Sequence, residues 1–316
     1  MFINTIQTTP LVSIGVPYFN AEKYILCTLE SIKNQSYQNI ELILINDCTP
    51  DNTQQLVDKW IQNNKIRFVS VKQLINKKNL GLAHSCKLLQ DAASGIYFSK
   101  LDSDDTILPN KITEQVAYLN DHEDVAMVYS NTFIIDSAGK LCETDYFDEQ
   151  NFVTVVNKIG PSGDVFKKLL QEDFIPNPSV LIRTAILNQV GGYDETLFAE
   201  DWDLWLRIAK NYKIDYMQGN SCQYRVHAES IMRRSESLVK VYKSIVKALI
   251  KHLGISEAFD SIIAKHLYTY IIGMYRYGVI DKELLRLNLR YNRDIKSLLY
   301  YMAGLFNLKL HQKKYN

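Results

Sequence analysis

No stretch of the 316 residues is both long and uncharged enough to cross a bilayer as a helix. The best candidate, Ser261–Ile280, is interrupted by Lys265, His266 and Arg276. The segment Met1–Pro10 lacks the basic start and apolar run of a secretory signal, so a cytoplasmic location is expected. Cysteine is scarce: Cys27, Cys48, Cys86, Cys142 and Cys222 are odd in number and show no metal-ligand spacing, which points to a reduced compartment. With 13 Gly and 7 Pro there is no collagen-like or low-complexity tract, and no internal repeat is visible. What is present is a core: 47% of residues are hydrophobic and 11% aromatic. Together these features exclude a disordered chain, a fibre and a disulfide scaffold.

A net charge is nearly lacking too, since 36 Lys and Arg stand against 35 Asp and Glu. That sum excludes a chain that coats nucleic acid along its length, but it conceals a split. Residues 233–316 carry 16 basic and 6 acidic side chains, and residues 1–232 carry 20 and 29. An acidic front part is joined to a basic tail part. We therefore expect two regions, a catalytic domain over 1–232 and a basic helical region over 233–316.

The front part alternates strand and helix patterns. Val12–Val16, Ile40–Ile45, Ile66–Val71, Ile96–Leu101 and Val125–Ser130 read as strands. Ala21–Gln35, Asp51–Asn63, Leu82–Ala93 and a helix from Pro109 to about Asn120 read as helices. This alternation predicts an α/β fold with a mainly parallel sheet flanked by helices, whose ligands bind outside the carboxyl ends of the strands. Beyond Ser130 come a hairpin around Phe133–Lys140, a loop-rich stretch over 143–160, a strand at Ser179–Ile182 and a helix at Trp202–Asn211. From Ser235 the pattern is helical, with breaks near Gly254, Gly278 and Asn292.

The densest chemistry follows the strand Ile96–Leu101. Asp102, Asp104 and Asp105 fall within four positions, a costly crowd of like charge unless a cation joins them. Mg²⁺ and Mn²⁺ take such oxygen ligands together with substrate phosphates. The alternative is an acidic turn before the helix at Pro109. Asp47 ends the second strand at the same edge, Glu200 and Asp201 precede an amphipathic helix, and His227 follows a strand-like segment.

These pieces, in order, resemble glycosyltransferase family 2, with its GT-A fold, over residues 10 to about 232. The matching segments are Val12–Asn20 (VSIGVPYFN), Ile45–Thr53 (INDCTPDNT), Asn79–Leu82 (NLGL), Ser99–Asp105 (SKLDSDD), Gly191–Glu195 (GGYDE), Glu200–Trp205 (EDWDLW) and Tyr224–His227 (YRVH). The resemblance implies an inverting transfer from a nucleotide-diphospho-sugar to a hydroxyl, assisted by Mn²⁺ or Mg²⁺. It places Pro17, Tyr18 and Asn20 at the nucleotide base and Asp47 at the base imide, which favours a UDP-sugar. It adds Asn79, Gly81, Lys87, Asp102 and Ser103 to the donor site, gives the metal to Asp102, Asp104 and His227, and makes Asp201 the catalytic base. Three positions depart from the family pattern: Asn46 stands for an acid, Cys48 for a glycine, and Cys86-Lys87 for an Arg-Asn pair. A point-charge lysine lacks the arginine fork.

The acceptor implied is a saccharide or lipid-linked saccharide of bacterial surface assembly. The basic tail suits the inner face of an anionic membrane, and a structural cap or homodimer contact is the alternative. Two other function classes are weighed. A nucleotidyltransferase calls for a Gly-rich phosphate loop, which Gly15–Phe19 does not supply. A non-catalytic carbohydrate-binding relative is suggested by the departures and opposed by Asp102, Asp104, Asp201 and His227.

Overall fold

Two seven-residue runs in which every residue is buried, β1 (Val12–Tyr18) and β2 (Ile40–Asn46), are interior strands of the sheet. Burial on both faces is what a parallel sheet under two helix layers requires. The computed structural model describes residues 9–228, 237–308 and 310. Within these, the remaining strands are β3 (Ser70–Ile75), β4 (Tyr97–Lys100), β5 (Thr106–Ile107), β6 (Val125–Ile135), β7 (Leu141–Asp145), β8 (Leu181–Arg183) and β9 (Lys213–Arg225). The first helices are α1 (Ile25–Lys33), α2 (Thr53–Asn64), α3 (Leu82–Ala92), α4 (Lys111–Asp121), α5 (Tyr146–Gln150) and α6 (Phe166–Gln171). They are followed by α7 (Thr184–Gln189), α8 (Asp201–Ala209), α9 (Leu238–Ile250), α10 (Glu257–Arg276), α11 (Lys282–Asn292) and α12 (Ile295–Leu305).

The sheet runs β3-β2-β1-β4-β8-β6-β9-β5, with β7 on β6. Pairing is parallel from β3 to β4 and between β6 and β9; β8, β5 and β7 join antiparallel. The expected α/β architecture is thus present. A cluster containing Ile14, Val16, Ile25, Leu29, Leu42 and Val57 forms its core. Each such side chain contributes about 1.5–3 kcal/mol by leaving water. The one acid inside β2, Glu41, is satisfied by Ser13 Oγ at 2.7 Å, the Ser94 N–H at 2.8 Å, and Lys72 Nζ at 2.7 Å.

One strand lies later than expected. Residues Lys65–Arg67 form a 3-10 turn and Ile66 is 96% exposed, so β3 begins at Ser70. The cause is Arg67, whose guanidinium donates to the carbonyls of Lys33, Gln35, Tyr37 and Gln38. Closing the end of α1 and the segment after it holds Arg67 out of the ladder. The stretch 143–160, expected as loop, contains α5, which is capped reciprocally by Asp145 and Asp148.

The chain divides into two units. One comprises Met1–Val165, Phe174–Glu195 and Ile208–Val226 and contains the whole sheet; the other comprises Phe166–Asp173, Thr196–Arg207 and His227–Asn316. The expected boundary at 232/233 lies outside the described residues. Two earlier segments, Phe166–Asp173 and Thr196–Arg207, group with the C-terminal helices. In that second unit the helix breaks fall where glycine sets them: Gly254 (φ 84°) and Gly278 (φ 86°) follow α9 and α10. Asp203, wholly buried on α8, binds Arg207 at 2.7 Å and Lys251 at 2.7 Å.

Lys111, at the start of α4, is buried with only neutral partners, Ser99 Oγ at 3.2 Å and the Val180 carbonyl at 3.1 Å. Burial lowers its pKa to about 8. Between pH 8 and the ordinary lysine value the unfolded chain holds a proton that the folded chain has released. Stability contributed by this group therefore rises with pH across that window. Lys111→Met is expected to stabilise the protein by about 1–3 kcal/mol at pH 7. The gap to wild type should shrink as pH climbs from 8 towards 10, which denaturant melts at several pH values measure.

Candidate active site

Three parallel neighbours, β2, β1 and β4, end side by side, with Tyr18 opposite Asn46 and Gly15 opposite Lys100. The loops leaving them carry Asn20, Asp47 and Asp102, so the fold brings these residues to one carboxyl edge. This is where open α/β sheets bind ligands.

The acidic loop 102–105 is fixed on several sides. Its turn closes by the Asp105 N–H donating to the Asp102 carbonyl at 3.1 Å. Thr28 Oγ1 donates to the Asp105 carbonyl at 2.7 Å. The short strand β5 follows at once and pairs Thr106 with Gln223 of β9. That antiparallel register sets Arg225 beside the loop. Its N–H donates to Asp105 Oδ1 at 2.8 Å, its Nε to the Asp104 carbonyl at 2.8 Å, and its Nη1 to the Asp136 carbonyl at 3.0 Å. The guanidinium also stacks on Tyr24 with 4.9 Å to the ring centroid.

Asp102 is 3.0 Å from the buried Nζ of Lys100 and accepts from Asn177 Nδ2 at 3.0 Å. Ser103 and Asp104 are half-buried. Asp105 is buried. Desolvation first, and then the charges of Asp104 and Asp102, push its carboxyl well above the usual carboxylate range. Its Oδ2 and the Oδ1 of Asn177 are buried acceptors with no donor. No group of three His, Cys, Asp or Glu side chains is gathered for a metal among the described residues. The loop nevertheless fits a hard divalent cation. It offers two half-buried carboxylates, of which Asp102 already meets Lys100 and Asn177, and the buried, donor-less Asp105 Oδ2 and Asn177 Oδ1; Mg²⁺ and Mn²⁺ take one or two carboxylates with substrate phosphates completing the shell.

Pro17, Tyr18, Asn20 and Asp47, expected at the nucleotide, lie at or just beyond the ends of β1 and β2. Pro17 is buried in β1, and Tyr18 is 2% exposed, donates to Gln54 Oε1 at 2.9 Å, and is pushed up to about 12 by burial. Asn20 is exposed, in the left-handed region (φ 52°) that asparagine tolerates. Asp47 is 4% exposed and both its oxygens accept from the protein. Asn76 Nδ2 (2.8 Å) and the Leu80 N–H (2.9 Å) reach Oδ1, and the Gly81 N–H (2.8 Å) reaches Oδ2. The carboxylate thereby holds the Asn79–Gly81 loop, with Asn79 exposed and Gly81 at φ 93° before α3. Lys87 sits on α3 paired with Asp91. Gly192 needs both its positive φ (68°) and its missing Cβ, because Gln90 lies over it and accepts from the Tyr193 N–H at 3.0 Å.

Cys48, where the family carries glycine, has φ 59°. An L-residue there is strained by about 1 kcal/mol. Cys48→Gly is expected to gain about 0.5–1 kcal/mol, less than the full strain because glycine also frees the unfolded chain. A rise in the denaturation midpoint at unchanged slope checks this.

Glu200 is buried and Asp201 half-buried at the start of α8, with the Trp202 N–H donating to Asp201 Oδ1 at 2.8 Å. Both, with half-buried His227, belong to the second unit. Arg225, Lys100, Asn177 and Asp203 were not assigned from sequence. Arg225, Lys100 and Asp203 lie inside quoted motifs, and that adjacency was the available signal. Asn177 lies in none.

A mainly parallel sheet with helices on both faces and an acidic loop at its carboxyl edge is the GT-A architecture of sugar transferases. Residues 13–191 match the model of Glycosyl transferase family 2, and the chain belongs to that family. It is a glycosyltransferase that uses a nucleotide-sugar donor. It is 29% identical over 222 residues to the uncharacterized glycosyltransferase MJ1057 of Methanocaldococcus jannaschii, covering 69% of this chain and 71% of that one. It is 30% identical over 267 residues, 82% of this chain and 97% of the other, to WfaP of Escherichia coli. WfaP is a UDP-Glc:alpha-D-GlcNAc-diphosphoundecaprenol beta-1,3-glucosyltransferase. In fold it is similar to Staphylococcus aureus TarS 1–349 in complex with UDP-GlcNAc, with TM-score 0.60, 21% identity, and 93% of this chain and 79% of that chain covered. It is similar also to the mannosyltransferase PcManGT of Pyrobaculum calidifontis in complex with GDP-Man and Mn²⁺, with TM-score 0.62, 15% identity, and 95% and 86% covered.

Proposed function

We propose that this glycosyltransferase moves a sugar from a UDP-sugar to a hydroxyl of a lipid-linked saccharide, with inversion at the anomeric carbon and with a divalent cation. The observation that carries the metal-dependent reading is the loop Asp102–Asp105, with its two half-buried carboxylates and the buried, donor-less Asp105 Oδ2. Asp102 and Asp104 would hold Mn²⁺ or Mg²⁺, which supplies charge stabilisation to the departing diphosphate. Arg225 keeps the loop in place through the Asp105 carboxylate and the Asp104 carbonyl. Asp47 shapes the Asn79–Gly81 loop on the nucleotide side. Asp201 accepts the proton of the attacking hydroxyl, the role the family motif gives it. Among the described residues no helix is long and apolar enough to cross a membrane.

The uridine and lipid-linked parts draw support from the relative whose name states both. A thermal-shift panel of UDP, GDP, dTDP and their sugars, with and without Mn²⁺, tests the donor. A rise with uridine nucleotides that needs Mn²⁺ is expected. A rise confined to another base overturns the UDP assignment, and an equal rise without metal overturns the cation.

A further inference from the structure

The last described helix is turned inside out with respect to an ordinary core helix. In α12 the face packed inward carries Ser297, Tyr300, Ala303 and Gly304. Asn288 Nδ2 of α11 donates to Ser297 Oγ at 3.0 Å, and a Cβ on Gly304 would lie 2.5 Å from the Leu285 side chain. The small residues thus let α11 and α12 approach closely. The large apolar residues point the other way: Ile295 is 78% exposed, Leu298 46%, Leu299 57%, Met302 44%, Leu305 40% and Phe306 70%. At 100° per residue these six cover an arc of about 120°, the width of a face that normally meets a core. A contiguous exposed stripe of this kind marks an interaction surface.

Charge selects its occupant. Residues 282–316 contain eight Lys and Arg against Glu283 and Asp294 alone. Arg293 and Lys296 flank the stripe and are exposed, and Lys309 follows it in sequence. Two copies of this region would bring like charge to like charge, whereas an anionic lipid surface is attracted. The helix has 11 residues, about 16 Å, too short for a hydrocarbon core of about 30 Å. We propose that α12 lies in the plane of an anionic membrane, its Ile295–Phe306 stripe among the acyl chains and its lysines and arginines at the headgroups. The inference deepens the lipid-linked acceptor reading and rests on it for its purpose.

The test is flotation of the full chain with vesicles of phosphatidylglycerol and phosphatidylcholine in equal parts, or of phosphatidylcholine alone, at low and high salt. The wild-type chain should float with the anionic vesicles, and less so at high salt. Leu299→Glu combined with Phe306→Glu should reduce flotation by about tenfold or more. Both positions are exposed, so an unchanged melting temperature serves as the folding control. A double variant that floats like wild type overturns the proposal. A wild-type chain that stays behind while forming a dimer that the double variant abolishes overturns it in favour of a second copy. Flotation without sugar transfer from any donor supports the helix's role and counts against the function. Transfer by a chain that never floats does the reverse.

Discussion

Asp104→Asn is expected to lower sugar transfer by on the order of a thousandfold while leaving the fold intact. The amide keeps the size of the carboxylate, and the loop backbone is held independently by Arg225 Nε on the Asp104 carbonyl and by Thr28 on the Asp105 carbonyl. What is removed is one of two half-buried anionic ligands. A cation that neutralises the leaving diphosphate contributes several kcal/mol to the transition state, and each 1.4 kcal/mol is tenfold in rate. The loss should appear in kcat/KM at saturating Mn²⁺, and the concentration of Mn²⁺ needed for half-maximal activity should rise. A variant that transfers at wild-type rate in a chelator would remove the metal from the reaction. Arg225→Lys gives the companion measurement. Lysine retains a charge but cannot bridge two carbonyls with a planar fork, so a partial loss restricted to metal affinity separates holding the loop from binding the cation.

The second large effect is expected at Asp201. Asp201→Asn should reduce transfer by about 10²–10⁴-fold, the range associated with a general base. Its backbone role survives, because the asparagine side-chain oxygen still accepts from the Trp202 N–H. Donor binding, followed by thermal shift with UDP and Mn²⁺, should be unchanged. A loss of donor binding in step with transfer would make Asp201 a donor ligand instead. Asp203, two residues on, serves as contrast. Wholly buried, it would on truncation to alanine remove the anion that Arg207 and Lys251 share and lower stability by about 1.5–3 kcal/mol.

Much of the fold was legible in the sequence because it is written in periodicity. The fully buried β1 and β2, and the glycines that close α9 and α10, stand in the chain as apolar runs and breaks. Three of the seven motif segments also contain the loops with Asn20, Asp47 and Asp102 that leave β1, β2 and β4 at the carboxyl edge. What escaped was whatever depends on a partner far along the chain. Arg67 closes α1 through carbonyls about thirty residues earlier, so Ile66–Val71 reads as a strand whose first residues are not one. Arg225 holds the Asp105 carboxylate and the Asp104 carbonyl about 120 residues away, and only the β5–β9 register reveals it. Asp47 has the residue type of an imide partner, and only the fold shows that its oxygens also accept from Asn76, Leu80 and Gly81. A side chain's type shows what it can bind, whereas its prior commitments are set by tertiary structure.

The strand order has a consequence for synthesis. β3, β2, β1 and β4 lie within the first hundred residues and can pair as soon as these leave the ribosome. β4 then waits for β8 at residues 181–183, and β6 waits for β9, which ends at Arg225. Until then the nascent chain carries an unpaired edge on β4, the kind of edge that invites pairing with another chain. The aspartates beside that edge, Asp102, Asp104 and Asp105, put concentrated negative charge at its end, and like charge keeps two such half-built sheets apart.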